Sequence, residues 1–293
     1  MTVRDVREGF TDFVNWALDP RPRIGLGLPF FDQFTNGGIA RSEIAMVMAF
    51  SSVGKTSIGL NILKANPTLP AMFFSLEMSW RQVVNRLAAM TFGTTTRAIE
   101  REVMETRDVP QVVHDTVQRY PLLVCDDTPA ITLKDASVSF HRATERLGMP
   151  PRLVMFDYLE LIGGSGLLGK AEAVDRASQK LRDWARQHDT AVIVLHQVGK
   201  GEGGDVPLDL GSGRYGGFAP MDFVVGAYAP RLRNGITSAE FESCKSDLFL
   251  QLLKNRAGAA RPAGVRHTFD PDTMDIRPYG TFGPILGTQG VLS

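Results

Sequence analysis

The chain of 293 residues carries 32 basic and 32 acidic side chains, so any binding to nucleic acid needs a local basic patch rather than an overall cationic charge. Hydrophobic residues at 43% and charged residues at 22% are typical of a soluble globular protein and exclude an intrinsically disordered chain. No apolar run approaches the roughly 18 residues of a membrane-spanning helix, and an acidic N-terminus without an apolar run excludes a secretory signal, so we expect a cytoplasmic protein.

The two cysteines, Cys125 and Cys244, lie far apart and have neither CxxC nor Cys/His spacing. This arrangement excludes a disulfide framework and a zinc module, and we expect two reduced thiols. Five scattered histidines indicate no metal cluster, which leaves magnesium carried by a nucleotide as the one ion to consider.

Short apolar runs alternate with longer amphipathic stretches, which is typical of an α/β protein with a mostly parallel sheet flanked by helices. The predicted strands are Ile44–Ala49, Ala71–Ser75, Leu122–Asp126, Leu153–Asp157, Ala191–His196, Phe223–Tyr228 and Leu248–Lys254. The predicted helices are Arg4–Leu18, Thr56–Ala65, Trp80–Met90, Thr96–Thr106, Gln111–Arg119, Leu133–Leu147 and Ala171–His188. Two last short strands, Gly264–Asp270 and Met274–Pro278, predict a C-terminal β-hairpin.

A phosphate-binding loop is predicted between the strand Ile44–Ala49 and the helix that follows it. Residues 49–56, Ala-Phe-Ser-Ser-Val-Gly-Lys-Thr, fit the pattern G-x-x-x-x-G-K-[ST] except for alanine at its first position. Backbone amides and the positive end of the following helix would surround a nucleotide phosphate. The expected nucleotide contacts are Ser51, Ser52, Val53, Gly54, Lys55, Thr56 and Ser57. Lys55 would reach the β- and γ-phosphates, and Thr56 would ligate Mg²⁺.

Hydrolysis also needs a carboxylate near the magnesium and a base for the attacking water. Asp157 ends an apolar strand and is the candidate for the magnesium carboxylate, the Walker B position. Glu77, which follows the strand Ala71–Ser75, is the best placed candidate for the base. On the residues alone, Glu160, Asp126 and Asp127 remain competing candidates.

Four separate segments of the chain resemble the hexameric replicative helicases of the DnaB type, within the RecA-like ATPases. The segments are Phe73–Met78, Phe156–Leu161, Leu195–Gln197 and Lys254–Arg256, in that family's order and at about its separations. The resemblance covers roughly residues 24 to 278 and implies a RecA-like P-loop fold, ATP and Mg²⁺ as cofactors, and catalysis at subunit interfaces.

The resemblance also implies individual roles. Glu77 would polarise the attacking water, and Gln197 would sense the γ-phosphate. Lys254 and Arg256 would reach into the neighbouring subunit's site, with Arg256 as the arginine finger. We expect Gln197 and Arg256 to follow strands that point to one edge of the sheet. His196 stands where the family usually has a small hydroxyl residue, and we interpret it as a packed, neutral histidine.

The resemblance also implies that two loops, which follow the strands ending at Asp157 and His196, face the central axis of a ring or filament. These loops are Gly163–Lys170 and Val198–Phe218, both rich in glycine, and single-stranded DNA would contact them. The predicted DNA contacts are Lys170, Lys200 and Arg214. An alternative is that these are flexible loops whose charges are only solvated.

Three regions are predicted: a linker helix with a Pro-rich linker (1–23), the ATPase domain (24–278) and a flexible tail (279–293). The first helix resembles the family's linker helix, which packs on the next subunit; alternatively it folds back on its own core. The predicted function is an ATP-dependent helicase or translocase on single-stranded DNA, acting as a homo-oligomer, either a hexameric ring or a filament, with a primase or loader as a further partner. The alternatives are a recombination ATPase of the RecA type and a nucleotide-gated replication scaffold without unwinding activity.

Overall fold

The structure, a computed structural model, describes residues 5–19, 22–129, 131–157, 170–198, 203–210 and 216–280. The described helices are α1 (Val6–Ala17), α2 (Pro29–Phe34), α3 (Lys55–Ala65), α4 (Trp80–Phe92), α5 (Thr96–Thr106), α6 (Gln111–Arg119), α7 (Leu133–Leu147), α8 (Lys170–Gln187) and α9 (Ser238–Cys244). The described strands are β1 (Arg23–Ile24), β2 (Ile39–Ala40), β3 (Ile44–Ala49), β4 (Ala71–Ser75), β5 (Leu123–Asp126), β6 (Leu153–Asp157), β7 (Ala191–Gln197), β8 (Phe223–Tyr228), β9 (Asp247–Asn255), β10 (Arg261–Phe269) and β11 (Ile276–Pro278).

Nine of the described strands form one sheet in the order β11-β10-β9-β8-β3-β7-β6-β4-β5. The strands from β8 to β5 in this order are parallel to their neighbours. The remaining pairs are antiparallel: β9 with β8, β10 with β9, and β11 with β10. The predicted α/β class, the mostly parallel sheet and the C-terminal hairpin are therefore confirmed.

Every predicted strand and helix is present, and outside the hairpin no end differs by more than two residues. The longest difference is in the hairpin, where β10 begins at Arg261 instead of Gly264. The elements that were not predicted are short: α2, α9, the pair β1 and β2, and one 3₁₀ turn at Pro230–Leu232. Segments this short contain too few residues for a periodic apolar pattern to predict them.

The central strands β3, β6 and β7 read as continuous apolar runs because both faces of the sheet are covered. One buried cluster lies on each face, with Phe73 and Leu195 in the first and Phe74 and Phe156 in the second. The rings of Phe74 and Phe156 stack with centroids 4.5 Å apart. This stacking fixes β4 against β6 close to the ends of both strands, where the predicted acidic residues follow.

Helix α1 buries none of its residues. Phe10 and Phe13 are 65% and 54% exposed, although they share the apolar face. Its end is tied to the domain by Trp16, whose ring lies under the guanidinium of Arg23 at 5.7 Å. In this structure α1 therefore does not pack its apolar face on the core of its own chain. Part of the predicted linker, residues 20–21, and the tail from 281 onward lie outside the described residues.

None of the described helices combines the length and hydrophobicity that crossing a bilayer requires. Cys125 and Cys244 are both free thiols. Within the described part of the chain, no group of three or more His, Cys, Asp or Glu side chains is arranged to hold a metal ion.

Candidate functional site

The predicted phosphate-binding loop joins the end of β3 to the start of α3. Gly54 is the residue before the helix and has a φ of 117°, a left-handed conformation that favours glycine. Ser52 also has a positive φ of 66°. Left-handed residues within a loop turn neighbouring backbone amides to one side, and the N-terminus of α3 adds backbone N–H groups without helical partners. The loop therefore has the geometry of an anion site.

The residues of the loop divide into exposed and buried positions. Ser51 and Ser52 are exposed, whereas Val53 and Ser57 are buried. Lys55 is half-buried, and its Nζ donates a hydrogen bond to the carbonyl oxygen of Phe50 at 3.3 Å. The lysine side chain therefore lies back across the loop, so the ammonium group is already close to the position that a phosphate would take.

Thr56 and Asp157 meet at the floor of the site. The Thr56 hydroxyl donates to Oδ2 of Asp157 at 2.7 Å, and Asp157 is 1% exposed. Its other oxygen, Oδ1, is buried and accepts no hydrogen bond from any described residue. A buried carboxylate oxygen without a donor fits a cation or its water shell. Thr56 and Asp157 could therefore hold the magnesium ion of a nucleotide.

Burial raises the pKa of Asp157 to about 6. The neighbouring charge of Glu77 raises it further, while the hydrogen bond from Thr56 and the charges of Lys55 and Arg86 lower it in part. A divalent cation beside this carboxylate would favour its ionised form and so offset the cost of burying the charge.

Glu77 lies two residues beyond the end of β4, next to Asp157. Ser75, the last residue of β4, pairs with Asp157 in the adjacent strand β6. Glu77 is exposed and makes no hydrogen bond to a described residue, so its carboxylate is accessible to a water molecule.

Two of the competing acids have structural partners. One oxygen of Asp126 accepts from the hydroxyl of Ser139 and the other from the backbone N–H of Thr128. Asp127 accepts from the backbone N–H of Trp80 at 2.8 Å, at the first turn of α4. The remaining competitor, Glu160, lies outside the described residues. The geometry therefore favours Glu77 over Asp126 and Asp127.

Gln197 ends β7 beside the phosphate-binding loop. Its Cα pairs with Ala49 in β3, and the next backbone N–H, of Val198, donates to the carbonyl oxygen of Ala49 at 3.1 Å. A side chain at this position lies next to the start of the loop. His196 is fully buried opposite Met48, so its interpretation as a packed residue is confirmed.

Lys254 and Arg256 lie at the opposite edge of the sheet from Gln197, so the prediction of a single edge was wrong. The cause is the direction of β9, which is antiparallel to β8. Arg256 donates to Oδ1 of Asp222 at 3.0 Å, and Asp222 Oδ2 accepts from the backbone N–H of Ile44 at the start of β3. The phosphate-binding loop follows the end of that six-residue strand, about 17 Å away.

Lys254 is held at the same edge as Arg256. Its Nζ donates to the carbonyl oxygens of Phe218 and Ala219 at 2.8 and 2.9 Å. Burial lowers the pKa of Lys254, and the charge of Arg256 lowers it further. The two basic side chains therefore form one cationic edge that is separate from the chain's own phosphate-binding loop.

Of the three predicted DNA contacts, Lys170 is the one whose backbone falls among the described residues. Lys170 is the first residue of α8. Lys200 and Arg214 lie outside the described residues, as do most of the two loops that were expected to meet DNA.

Arg231 also lies at the site, although it was not predicted from the sequence. Arg231, in the 3₁₀ turn after β8, donates to the carbonyl oxygen of Val53 in the phosphate-binding loop at 3.1 Å. No motif marks this arginine, and the only signal was its place directly after a buried strand.

The sequence profile of the DnaB-like helicase C terminal domain family matches residues 24–203. A protein named Replicative DNA helicase DnaB from Nostoc sp. is 30% identical over 190 residues, which cover 61% of this chain and 21% of that protein. A protein of the same name from Treponema pallidum is 28% identical over 217 residues, covering 72% of this chain and 48% of that protein. The chain thus spans between about a fifth and a half of the length of these curated relatives.

Two solved structures share the fold. One is an ATPase domain with a TM-score of 0.77 at 19% identity, and the match covers 95% of this chain and all of that one. The other is a DnaB-like replicative helicase whose interactions with primase were described, with a TM-score of 0.76 at 17% identity, covering 94% and 69% of the two chains. The chain therefore shares the fold of these two structures, as the fold class predicted from the sequence requires.

Proposed function

The chain belongs to the DnaB-like helicase C-terminal domain family, and from this premise we propose that it is an ATP-dependent helicase or translocase that acts on single-stranded DNA. The observation that carries the proposal is the site formed by Lys55, Thr56 and Asp157, with Glu77 and Gln197 beside it. A loop of inward amides, a lysine, a hydroxyl and a buried carboxylate are together the parts that bind a nucleoside triphosphate with Mg²⁺.

ATP hydrolysis would follow from the positions of the side chains around that site. Magnesium, held by Thr56 and Asp157, would neutralise charge on the phosphates. Lys55 and the loop amides would bind the phosphate oxygens, and Glu77 would orient the attacking water and accept its proton. Gln197 lies where a change at the γ-phosphate would reach the segment after β7, which includes Lys200.

We infer that the site is completed by a second copy of the chain. Within one chain, Arg256 is too far from the loop to contact a bound nucleotide, since about 17 Å of sheet lies between them. The edge that carries Lys254 and Arg256 can meet a phosphate-binding loop only on another subunit. A head-to-tail interface of this kind repeats and closes into a ring if the rotation permits, which supports a homo-oligomer, and we propose a hexamer.

Several further features belong to the same proposal. The ATPase domain would extend over residues 24–278, preceded by a linker helix that packs on the next subunit through its exposed apolar face. DNA would pass the segments that carry Lys170, Lys200 and Arg214, repeated around the ring. A primase or loader would be a further partner, and the cytoplasm would be the place of action.

The proposal is tested by measuring the ATPase rate against protein concentration, with and without single-stranded DNA. A site shared between subunits predicts a specific activity that rises with protein concentration and rises again when DNA is added. Lys55→Ala should abolish turnover, whereas Lys134→Ala, which removes an exposed lysine from α7, should not change it. A directional unwinding assay beside a strand-exchange assay then distinguishes a helicase from a recombination ATPase.

A further inference from the structure

Arg231 connects the phosphate-binding loop to the antiparallel part of the sheet. Its 3₁₀ turn follows β8, which pairs with β3, and so lies beside the loop that follows β3. One guanidinium nitrogen donates to the carbonyl oxygen of Val53 at 3.1 Å, and another donates to that of Asp247, the first residue of β9, at 3.0 Å. The guanidinium carbon lies 4.9 Å from the centre of the Phe269 ring. Three contacts on three elements hold this side chain in one orientation.

The hydrogen bond to Val53 has a direct consequence for Gly54. The carbonyl of Val53 and the N–H of Gly54 belong to the same planar trans peptide, so they point in opposite directions. Because the carbonyl oxygen of Val53 points toward Arg231, the N–H of Gly54 must point away from Arg231, toward the inside of the loop. With the peptide in this orientation, the chain enters α3 through the left-handed conformation of Gly54, whose φ is 117°.

The charge of Arg231 acts in the same direction as its geometry. A guanidinium remains protonated in proteins, and a cation that binds a carbonyl oxygen polarises the whole peptide group. Polarisation makes the N–H of that peptide a stronger donor. The N–H of Gly54 would therefore be oriented toward an anion in the loop and would be a stronger hydrogen-bond donor to it. Arg231 would have this effect without contacting the anion itself.

We propose that Arg231 is a positioning residue for the nucleotide: it orients and polarises the Val53–Gly54 peptide so that the Gly54 amide binds a phosphate. The proposal deepens the function proposed above and rests on it. The competing explanation is that Arg231 only ties the turn after β8 to the start of β9. In that case its loss would weaken the fold without a specific effect on nucleotide binding.

The experiment measures binding of MgADP to the full chain and the melting temperature with and without MgADP. For Arg231→Ala we expect the dissociation constant to rise roughly 10- to 100-fold, the effect of losing a charge-assisted hydrogen bond that orients the peptide. We also expect most of the nucleotide-induced rise in melting temperature to disappear. The rate at saturating nucleotide should fall much less than the affinity, because Arg231 lies away from the reacting atoms.

The matched control is Arg233→Ala, two residues further along. Arg233 is exposed and pairs only with Glu240 on the surface, among the described residues. It should bind MgADP as the unaltered protein does. Two further variants keep the test decisive if the alanine variant does not fold. Arg231→Lys retains the charge and Arg231→Gln does not, so the lysine variant should bind MgADP more tightly than the glutamine variant.

The outcomes separate this proposal from the proposed function. If Lys55→Ala binds MgADP as well as the unaltered protein does, the nucleotide site is wrong and the role of Arg231 falls with it. If Lys55→Ala loses binding while Arg231→Ala retains it within about twofold, only the role of Arg231 is refuted. Equal binding by the lysine and glutamine variants at the level of the unaltered protein would refute it as well.

Discussion

Arg256 and Asp222 form an ion pair of 3.0 Å at the sheet edge opposite the phosphate-binding loop. Asp222 is nearly buried, with a side chain that is 8% exposed, whereas Arg256 is 46% exposed. The same carboxylate also accepts from Arg182 at 3.1 Å and from the backbone N–H of Ile44 at 2.9 Å. The exposed guanidinium could therefore leave the pair and turn toward the neighbouring subunit proposed above, while Asp222 retains two partners.

Asp222→Ala should destabilise the protein strongly. The substitution leaves Arg182, which is 11% exposed, without its carboxylate and leaves the buried N–H of Ile44 without an acceptor. Breaking a buried pair by removing one partner typically costs about 3–5 kcal/mol. Chemical denaturation measures the change. Glu242→Ala is the control, because Glu242 pairs with Lys245 on the surface, where an ion pair contributes little to stability. Similar losses for both variants would contradict this account of Asp222.

Glu77→Gln should slow ATP hydrolysis by about 10²–10⁴-fold, the typical contribution of a general base. Nucleotide affinity should change little, because the side chain is exposed and makes no hydrogen bond to a described residue of the loop. Single-turnover hydrolysis and MgADP binding, measured side by side, test this prediction. The control is Asp127→Asn, which changes an acid whose partner is the backbone N–H of Trp80. A rate for Glu77→Gln equal to that of the control would mean that the base is another residue.

Asp157→Asn should stabilise the nucleotide-free protein near neutral pH. In the unfolded chain this carboxyl ionises near its ordinary pKa of 3.8, and in the folded protein near 6. Above pH 6 both states are ionised and the folded state carries the cost of the buried charge; below about pH 4 both are protonated and the cost is absent. A rise from 3.8 to about 6 corresponds to about 3 kcal/mol. The stabilisation by asparagine should therefore shrink as the pH falls from 6 toward 4.

Melting temperatures of Asp157→Asn and of the unaltered protein between pH 4 and 8 test this sign. Asp126→Asn is a control for which the opposite change in stability is expected. Burial raises the pKa of Asp126, but hydrogen bonds from Ser139 and Thr128 outweigh it and leave the pKa lowered, so its loss should destabilise the protein at neutral pH. Asp157→Asn should also lose the part of nucleotide binding that depends on Mg²⁺. Destabilisation by Asp157→Asn at neutral pH would contradict the account.

Single-stranded DNA binding should weaken when Lys200 or Arg214 is replaced by alanine. If each side chain neutralises one phosphate, the slope of the logarithm of affinity against the logarithm of salt concentration should fall by about one per site. Fluorescence anisotropy with a labelled oligonucleotide at several salt concentrations measures the slope. Arg101→Ala, on the exposed surface of α5, is the control. An unchanged slope in both loop variants would favour the alternative that these charges are only solvated.

The parallel core and the nucleotide site could be predicted from the sequence because each depends on local patterns. A continuous apolar run before Gly54-Lys55-Thr56 predicts a strand that ends at an anion site, and Asp157 ends a second such run. Parallel strands carry their carboxyl ends to one edge, so the two motifs had to meet. The hydrogen bond between Thr56 and Asp157 confirms that they do.

The position of Arg256 could not be predicted from local patterns, because it depends on the direction of β9 in the sheet. Parallel strands need a crossover that covers the face of the sheet, usually a helix. The connection 229–246 holds only a 3₁₀ turn and the seven-residue α9, and this lack of a long amphipathic helix was the available signal for an antiparallel strand. Arg231 gave no signal, because its role arises from two backbone carbonyls that only the folded chain brings within its reach.

The central claim is that one copy of the chain binds the nucleotide and another supplies Arg256 for its hydrolysis. Mixing two inactive variants tests it most directly. Lys55→Ala retains Arg256 but loses its own site, and Arg256→Ala retains the site but lacks the finger, so each alone should fall by about 10³–10⁵-fold in ATPase rate. In an equal mixture about a quarter of the head-to-tail interfaces join an intact site to an intact finger, and ATPase activity should return. A mixture that remains as inactive as its two components, or an Arg256→Ala variant that hydrolyses ATP at full rate by itself, would contradict the account.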